Sequence, residues 1–166
     1  EGLGMNRDAE KIIEALTRAG ARLALAESCT GGMLSSAITD VPGASLCFEA
    51  SLVTYSPEAK ASILKVPGSV LALSGAVSGP AAAAMAEGAL AVSGADIACS
   101  VTGVAGPGPD LDGNPAGLVY IACSMAGHET ETRRYSFSGD RKAVREASVR
   151  NALCFLAEYL AKRGIS

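Results

Sequence analysis

The chain has 166 residues, of which 49% are hydrophobic and 4% aromatic, and its net charge is −3. A chain of this length buries roughly 70% of the surface that it exposes when unfolded, which is enough for one domain. The acidic balance disfavours a general binder of nucleic acids or membrane surfaces. With no run of about 18 apolar residues and no signal-peptide pattern, the sequence predicts a cytoplasmic protein without a membrane partner.

The domain boundaries follow from the continuity of the pattern. No internal repeat and no linker interrupts the chain, so we predict a single domain over residues 5–166. Residues 1–4, which precede Met5, are expected to be a remnant of vector sequence.

The first half of the chain alternates between helical and extended patterns. Apolar residues at helical spacing lead up to Gly20, and Ser56 followed by Pro57 has the composition of a helix start. The predicted elements are a helix ending at residue 19, a strand at 22–26, a helix at about 31–39, a strand at 46–54 and a short helix from residue 56.

The second half adds a buried strand, a long loop and a hairpin. Ser78 begins an Ala-rich segment, and the turn around His128 joins two β-prone stretches. The predicted elements are a helix at 78–94, a strand at 96–102, a turn-rich loop at 103–115, strands at 117–125 and 130–137, and a helix from 140 to about 162. A loop as long as this one is usually functional or mobile.

The order of these elements favours an α/β fold. Strands and helices alternate before the hairpin, which is typical of a parallel sheet with an antiparallel edge. We therefore predict a three-layer α/β/α sandwich, with a mostly parallel mixed sheet, an antiparallel edge hairpin and helices on both faces.

The most informative segment is residues 23–32, where an alternating apolar strand leads into a polar turn and two glycines. The turn places the Ser28 hydroxyl and the N–H groups of Thr30, Gly31 and Gly32 at a helix start, where oxyanions are stabilised. A simpler interpretation is that Ser28 and Thr30 only cap the helix.

Three polar segments follow predicted strands, and loops at that edge of an open α/β sheet gather ligands. They are Glu27–Gly32, Thr54–Ser56 with Lys60, and Thr102–Pro107. Alternatively, the glycines Gly103 and Gly106 serve only as loop hinges, and Tyr55 and Lys60 are surface residues. The three segments together favour one shared ligand site.

The reaction type follows from what the chain lacks. Its one histidine, His128, falls in a predicted hairpin turn, so a histidine-based triad is excluded as the basis of the site. Lys60 or Tyr55 remains to activate Ser28, and Tyr55 is a candidate to relay the proton between Ser28 and Lys60. A lysine acts as a base only if its pKa is lowered. These groups favour acyl transfer or amide hydrolysis without a metal or cofactor.

Other charged and reactive residues have weaker signals. The cation Arg141 opens the last helix, where it opposes the helix dipole, so a phosphate nearby would explain it; a solvated charged face is the alternative. The five scattered cysteines are expected to be buried reduced thiols, although Cys29 lies where a thiolate is favoured. The spacing of Asp110 and Asp112 does not fit a calcium loop.

Taken together, the motifs resemble the CinA C-terminal domain family, which includes the nicotinamide-nucleotide amidohydrolases. The resemblance covers about residues 5–163 in the order and spacing of the family. The motifs that carry it are Ala26–Gly32, Thr54–Ser56 with Lys60, Gly75–Ser78, Val101–Pro107 and Gly139–Arg141.

The resemblance implies hydrolysis of the carboxamide of nicotinamide mononucleotide to the nicotinate nucleotide and ammonia. By the same resemblance Ser28 is the nucleophile, Tyr55 and Lys60 activate it, and Arg141 suits the substrate phosphate. The expected substrate-binding residues, taken from the residues and the resemblance together, are Glu27, Thr30, Gly31, Gly32, Thr102, Gly103, Gly106 and Arg141.

Two further expectations accompany this hypothesis. The partner is a small nucleotide, without direct nucleic-acid binding, and the chain is expected to form a homodimer or higher homo-oligomer. The alternative is a non-catalytic nucleotide-binding or regulatory module of the type associated with competence and DNA damage. Pro57 stands where many members are expected to have Asn, which leaves substrate preference open.

Overall fold

The computed structural model describes the backbone of residues 2–166 and the side chains of residues 7–166. Glu1, part of the expected remnant, lies outside the described residues. The helices are α1 (Gly2–Ala19), α2 (Met33–Thr39), α3 (Pro57–Ile63), α4 (Gly68–Ser74), α5 (Gly79–Ser93) and α6 (Arg141–Ala161). The strands are β1 (Leu23–Glu27), β2 (Phe48–Val53), β3 (Ile97–Gly103), β4 (Leu118–Met125) and β5 (Glu131–Ser136).

The five strands form one mixed sheet in the order β2-β1-β3-β4-β5. Strands β2, β1 and β3 are parallel, whereas β4 and β5 are antiparallel to their neighbours and form the edge hairpin. This confirms the predicted α/β sandwich with an antiparallel edge. The chain passes from β1 to β2 on one side and later adds β3 on the other, so the strand order reverses at β1.

Residue size decides which helices pack on which face of the sheet. Along β1, the large side chains of Leu23 and Leu25 join the core with α1, α2 and α6. The small side chains of Ala24 and Ala26 face α5 and the segment around Leu64. Because side chains alternate along a strand, this pattern places the side chain of Glu27 on the α6 side and that of Ser28 on the α5 side.

Two helix starts and one additional helix differ from the predictions. Helix α2 begins at Met33 because Gly31 and Gly32 have φ angles of 56° and 100°, in the left-handed region that a helix cannot contain. Helix α4 was not predicted because it has no side-chain N-cap, whereas the equally short α3 is marked by the Ser56 cap. Helix α1 begins at Gly2, so it includes residues that were expected to be a remnant.

Candidate active site

Three loops converge at the carboxyl edge of the parallel strands. Ser28 follows β1, Thr54 and Tyr55 follow β2, and Val104 follows β3. The N–H of Thr54 donates to the carbonyl of Glu27 over 2.9 Å, which extends the β1–β2 ladder into the loops. The polar segments therefore meet beside the strand at which the order reverses, where ligands bind in open α/β sheets.

Lys60 and Ser28 form a direct hydrogen bond. The Lys60 ammonium Nζ donates to Ser28 Oγ over 3.0 Å and to the backbone carbonyls of Thr54 and Tyr55 over 2.9 and 3.2 Å. Ser56 caps α3 by accepting from the N–H of Ala59, and this start of the helix places Lys60 one turn later. The two side chains lie 32 positions apart in the sequence.

Burial lowers the pKa of the Lys60 amine. The side chain is 1% exposed, and within the described residues no carboxylate lies within ion-pair distance of it. Removal from water disfavours the ammonium form, which lowers the pKa of Lys60 from 10.5 to about 8. In the neutral amine, two N–H bonds can remain on the two carbonyls while the lone pair faces the Ser28 hydroxyl.

Glu27 organises the loop from inside. Its side chain is 0% exposed. Its carboxylate accepts hydrogen bonds from the Thr30 and Ser51 hydroxyls and from three N–H groups at the start of α2, those of Gly32, Leu34 and Ser35. Glu27 and Thr30 were predicted to bind substrate. In the structure their side chains instead form a hydrogen bond with each other inside the loop.

We call residues 28–32 the serine loop. Some of its backbone N–H groups already donate to an acceptor in the protein, and others do not. Gly31 donates its N–H to the Ser28 carbonyl and Gly32 donates to Glu27, so neither glycine amide is open to an oxyanion as predicted. Within the described part of the chain, the N–H groups of Cys29 and Thr30 have no protein acceptor. These two amides directly follow Ser28 in the chain.

Tyr55 contacts the site with two different groups, its backbone carbonyl and its side-chain hydroxyl. Its backbone carbonyl accepts from Lys60, whereas its hydroxyl accepts from Arg141 Nη2 over 3.1 Å and its side chain is 61% exposed. The predicted relay from Ser28 through Tyr55 to Lys60 is therefore not formed, because serine and lysine are bonded directly. The Tyr55 ring belongs instead to the wall of a cleft.

This cleft has a volume of about 330 Å³ and is linked to the serine–lysine pair through Tyr55, whereas Ser28 and Lys60 themselves do not line it. Arg141, the first residue of α6, bridges it by donating to the Gly106 carbonyl over 2.6 Å and to the Tyr55 hydroxyl. The other N–H groups of its guanidinium remain available as donors to an anion. The residues lining the cleft are Tyr55, Val77, Gly103, Val104, Ala105, Gly106, Pro107, Gly108, Pro109, Asp110 and Arg141.

The last two residues of β3 support the floor and wall of the cleft. Thr102 is buried, and its hydroxyl donates to the Ala76 carbonyl over 2.7 Å, so it supports a neighbouring loop. Gly103 lines the cleft, and a Cβ there would lie 2.6 Å from the Val119 side chain. Only glycine lets β3 approach β4 this closely at the cleft floor.

Two further residues lie at the site: Thr54, which belongs to a predicted polar segment but was given no role, and Arg145, which was not assigned to the site. Thr54 is buried, and its hydroxyl has no hydrogen-bond partner among the described residues. Arg145 donates Nε and Nη2 to the carbonyls of Cys29 and Thr30 over 3.0 and 3.1 Å. Its spacing of four residues from Arg141 was a readable signal, because residues i and i+4 share one face of a helix.

The cysteines differ from the predictions in the pKa of Cys29 and in the exposure of Cys154. Burial raises the pKa of the Cys29 thiol to about 11, which opposes the thiolate expected at a helix start. Cys47, Cys99 and Cys123 are buried as predicted, but Cys154 is exposed. Cys29 therefore acts as a small apolar residue beside Ser28.

Three features of the described residues concern metal binding, membrane insertion and the single histidine. Within residues 7–166, no three His, Cys, Asp or Glu side chains come close enough together to hold a metal ion. None of the described helices has the length and apolar character needed to cross a membrane. His128 is exposed in the β4–β5 turn, as the sequence predicted.

The fold and this geometry define an α/β protein with a buried serine–lysine pair beside an open cleft. The family model of the CinA C-terminal domain matches residues 5–160, and the chain belongs to that family. A crystal structure of a CinA superfamily protein from Klebsiella pneumoniae superposes with a TM-score of 0.91 at 39% identity, covering 95% of this chain and 98% of that one.

Two sequence relatives differ in length. The chain is 46% identical over 144 residues to the nicotinamide-nucleotide amidohydrolase PncC of Escherichia coli K12, covering 87% of each chain. It is 44% identical over 158 residues to a CinA-like protein of Syntrophotalea carbinolica, covering 95% of this chain. The chain spans 38% of the length of that CinA-like protein.

Proposed function

We propose that this protein hydrolyses the carboxamide of nicotinamide mononucleotide, with Ser28 as the nucleophile and Lys60 as the general base. The observation that carries the proposal is the 3.0 Å hydrogen bond between Lys60 Nζ and Ser28 Oγ in a buried site. The amidohydrolase name of the E. coli relative, which this chain matches over 87% of its length, supports the choice of substrate.

The first half of the reaction forms an acyl-enzyme. Neutral Lys60 accepts the Ser28 proton while Oγ attacks the carboxamide carbon, which gives a tetrahedral oxyanion. The N–H groups of Cys29 and Thr30 are the donors available to that oxyanion. The Lys60 ammonium then returns the proton to the amide nitrogen, the C–N bond breaks and ammonia leaves.

The second half releases the acid. A water molecule loses a proton to Lys60 and attacks the acyl carbon, and the second tetrahedral species collapses to the nicotinate nucleotide. Ser28 Oγ takes the proton back from Lys60, which restores the starting state. Bond making and breaking balance without a cofactor, because the overall reaction adds one water and releases one ammonia.

The cleft suits the remainder of the substrate. The guanidinium of Arg141 offers bidentate donors for the phosphate, and the exposed Tyr55 ring offers a surface on which the pyridine ring stacks. Pro57 does not disturb this arrangement, because it occupies the first position of α3, where no N–H is needed.

The direct test is the release of ammonia from nicotinamide mononucleotide. We expect saturable turnover by the wild type and a loss of at least about 10⁴-fold in kcat for Ser28→Ala, because the covalent step is removed. Ser36→Ala, an exposed serine on α2, is the matched control and should retain full activity.

Two outcomes would contradict the proposal. Undiminished turnover by Ser28→Ala would eliminate the serine nucleophile. Tight binding of the nucleotide without any release of ammonia would favour the non-catalytic binding module instead.

A further inference from the structure

Arg145 holds the backbone of the serine loop from the side opposite to the reacting hydroxyl. It projects from α6, whose core lies on the face of the sheet that carries Leu23 and Leu25. Its guanidinium donates to the carbonyls of Cys29 and Thr30 over 3.0 and 3.1 Å. Lys60 reaches Ser28 from α3, and Leu64, which directly follows this helix, packs on the other face.

The planarity of the peptide bond turns this contact into a constraint on an N–H group. In a trans peptide, the C=O and the following N–H point in opposite directions. The Cys29 carbonyl faces Arg145, so the Thr30 N–H in the same peptide points away from the Arg145 guanidinium. That N–H has no protein acceptor among the described residues.

The same contact also polarises the peptide. A cation on the carbonyl oxygen strengthens the N–H of that peptide as a donor, because hydrogen bonds in a chain reinforce one another. The neighbouring peptide is held as well, since the Thr30 carbonyl accepts from Arg145 and the Gly31 N–H donates to the Ser28 carbonyl. The loop therefore has little freedom to rotate the Thr30 amide.

Close packing at Gly31 reinforces this arrangement. A Cβ on Gly31 would lie 3.4 Å from Arg145 Nη2, and its φ of 56° is in the left-handed region. The guanidinium thus lies directly against the glycine that turns the loop.

We propose that Arg145 is a positioning residue that directs and polarises the Thr30 N–H, so that this amide binds the oxyanion formed at Ser28. The proposal rests on the proposed serine mechanism. Arg145 does not touch the substrate in this role, in contrast to Arg141, which lies on the cleft.

The experiment compares Arg145→Ala and Arg145→Lys with Lys142→Ala, an exposed cation on the same helix that pairs with Glu146. For both Arg145 variants we expect kcat to fall by about 10²-fold, the size of the loss of one oxyanion donor, while KM changes little. Lysine is not expected to rescue activity, because one ammonium cannot hold two carbonyls as a planar fork does.

Two readouts separate positioning from a merely structural role. The midpoint of the pH–rate profile should stay at that of the wild type, because the Lys60 amine is unchanged. Guanidinium or methylguanidinium added to Arg145→Ala should restore part of kcat. Unchanged kcat in both variants, or a loss that matches the fraction unfolded at the assay temperature, overturns the proposal.

A second arm separates this proposal from the choice of substrate. A fluorophosphonate probe forms a bond between phosphorus and Ser28 Oγ with loss of fluoride, and the phosphoryl oxygen takes the place of the oxyanion. Labelling of Ser28 that slows by a similar factor in the Arg145 variants supports the proposal even if nicotinamide mononucleotide is not hydrolysed. Equal labelling rates, or no labelling of the wild type, overturn it.

Discussion

Two loops at the carboxyl edge are each organised by one carboxylate, but they differ in exposure. The serine loop is organised by Glu27, the last residue of β1, which is fully buried and accepts from five donors. In residues 104–117, which we call the cleft loop, Asp110 is half-buried and accepts from the N–H groups of Asp112 and Asn114 and from the Asn114 side chain.

Under the proposed function, the difference in exposure corresponds to the role that each loop would have. A nucleophile and its oxyanion donors need a geometry fixed within fractions of an ångström, which buried and fully paired groups provide. A wall that contacts the non-reacting part of a substrate works with exposed groups such as Tyr55 and the residues near Leu111. Reactivity is thus assigned to the buried loop and recognition to the exposed one.

After the loss of the nucleophile itself, the largest effect is expected from removing the base on the buried side. Lys60→Met should lower kcat by about 10³-fold, because Ser28 loses its proton acceptor. In the wild type, kcat/KM should rise with pH to a plateau above a midpoint of about 8, since the neutral amine is the active form. Steady-state ammonia release between pH 6 and pH 9 measures both. A wild-type profile that is flat over this range would contradict the assignment.

The same substitution should change the pH dependence of stability. The pKa of Lys60 is lowered from 10.5 to about 8 in the folded protein, so the unfolded state binds more protons between these values. The free energy of unfolding of the wild type therefore rises over this range by about 2 to 3 kcal/mol more than that of Lys60→Met. Urea unfolding of both proteins at pH 7 and pH 10 measures this difference, and parallel pH dependences would refute it.

The carboxylates of the two loops offer a matched pair of substitutions. Glu27→Gln should lower the free energy of unfolding by about 2 kcal/mol, because an amide turns N–H groups toward donors in a buried site. Asp110→Asn should lower the free energy of unfolding by less than about 1 kcal/mol, since Asp110 is only half-buried. Urea unfolding of both variants at pH 7 tests the comparison, and equal losses would contradict the contrast between the loops.

The smallest effect on catalysis is expected on the exposed side. Arg141→Ala should raise KM about tenfold and change kcat little, because an exposed guanidinium contributes about 1.4 kcal/mol to holding a phosphate. Nicotinamide riboside, which lacks the phosphate, should show no such difference between the wild type and the variant. A fall in kcat with an unchanged KM would instead place Arg141 in the chemical step.

The sequence by itself determined the fold class and the segments of the site. Alternating apolar residues predicted β1, and the turn residues after β1, β2 and β3 predicted loops at one edge, because such patterns depend on local backbone geometry. The helix starts at Ser56, Ser78 and Asp140 were equally readable, and each of these residues does cap a helix.

Only the tertiary structure decided which groups meet and in which state. The bond between Lys60 and Ser28, the lowered pKa of Lys60 and the raised pKa of Cys29 all depend on burial among segments distant in sequence. The inward direction of Glu27 and the reach of Arg145 to two carbonyls depend on how α2 and α6 pack on the sheet. Local patterns carry no information on these contacts, because desolvation and hydrogen-bond partners are properties of the packed chain.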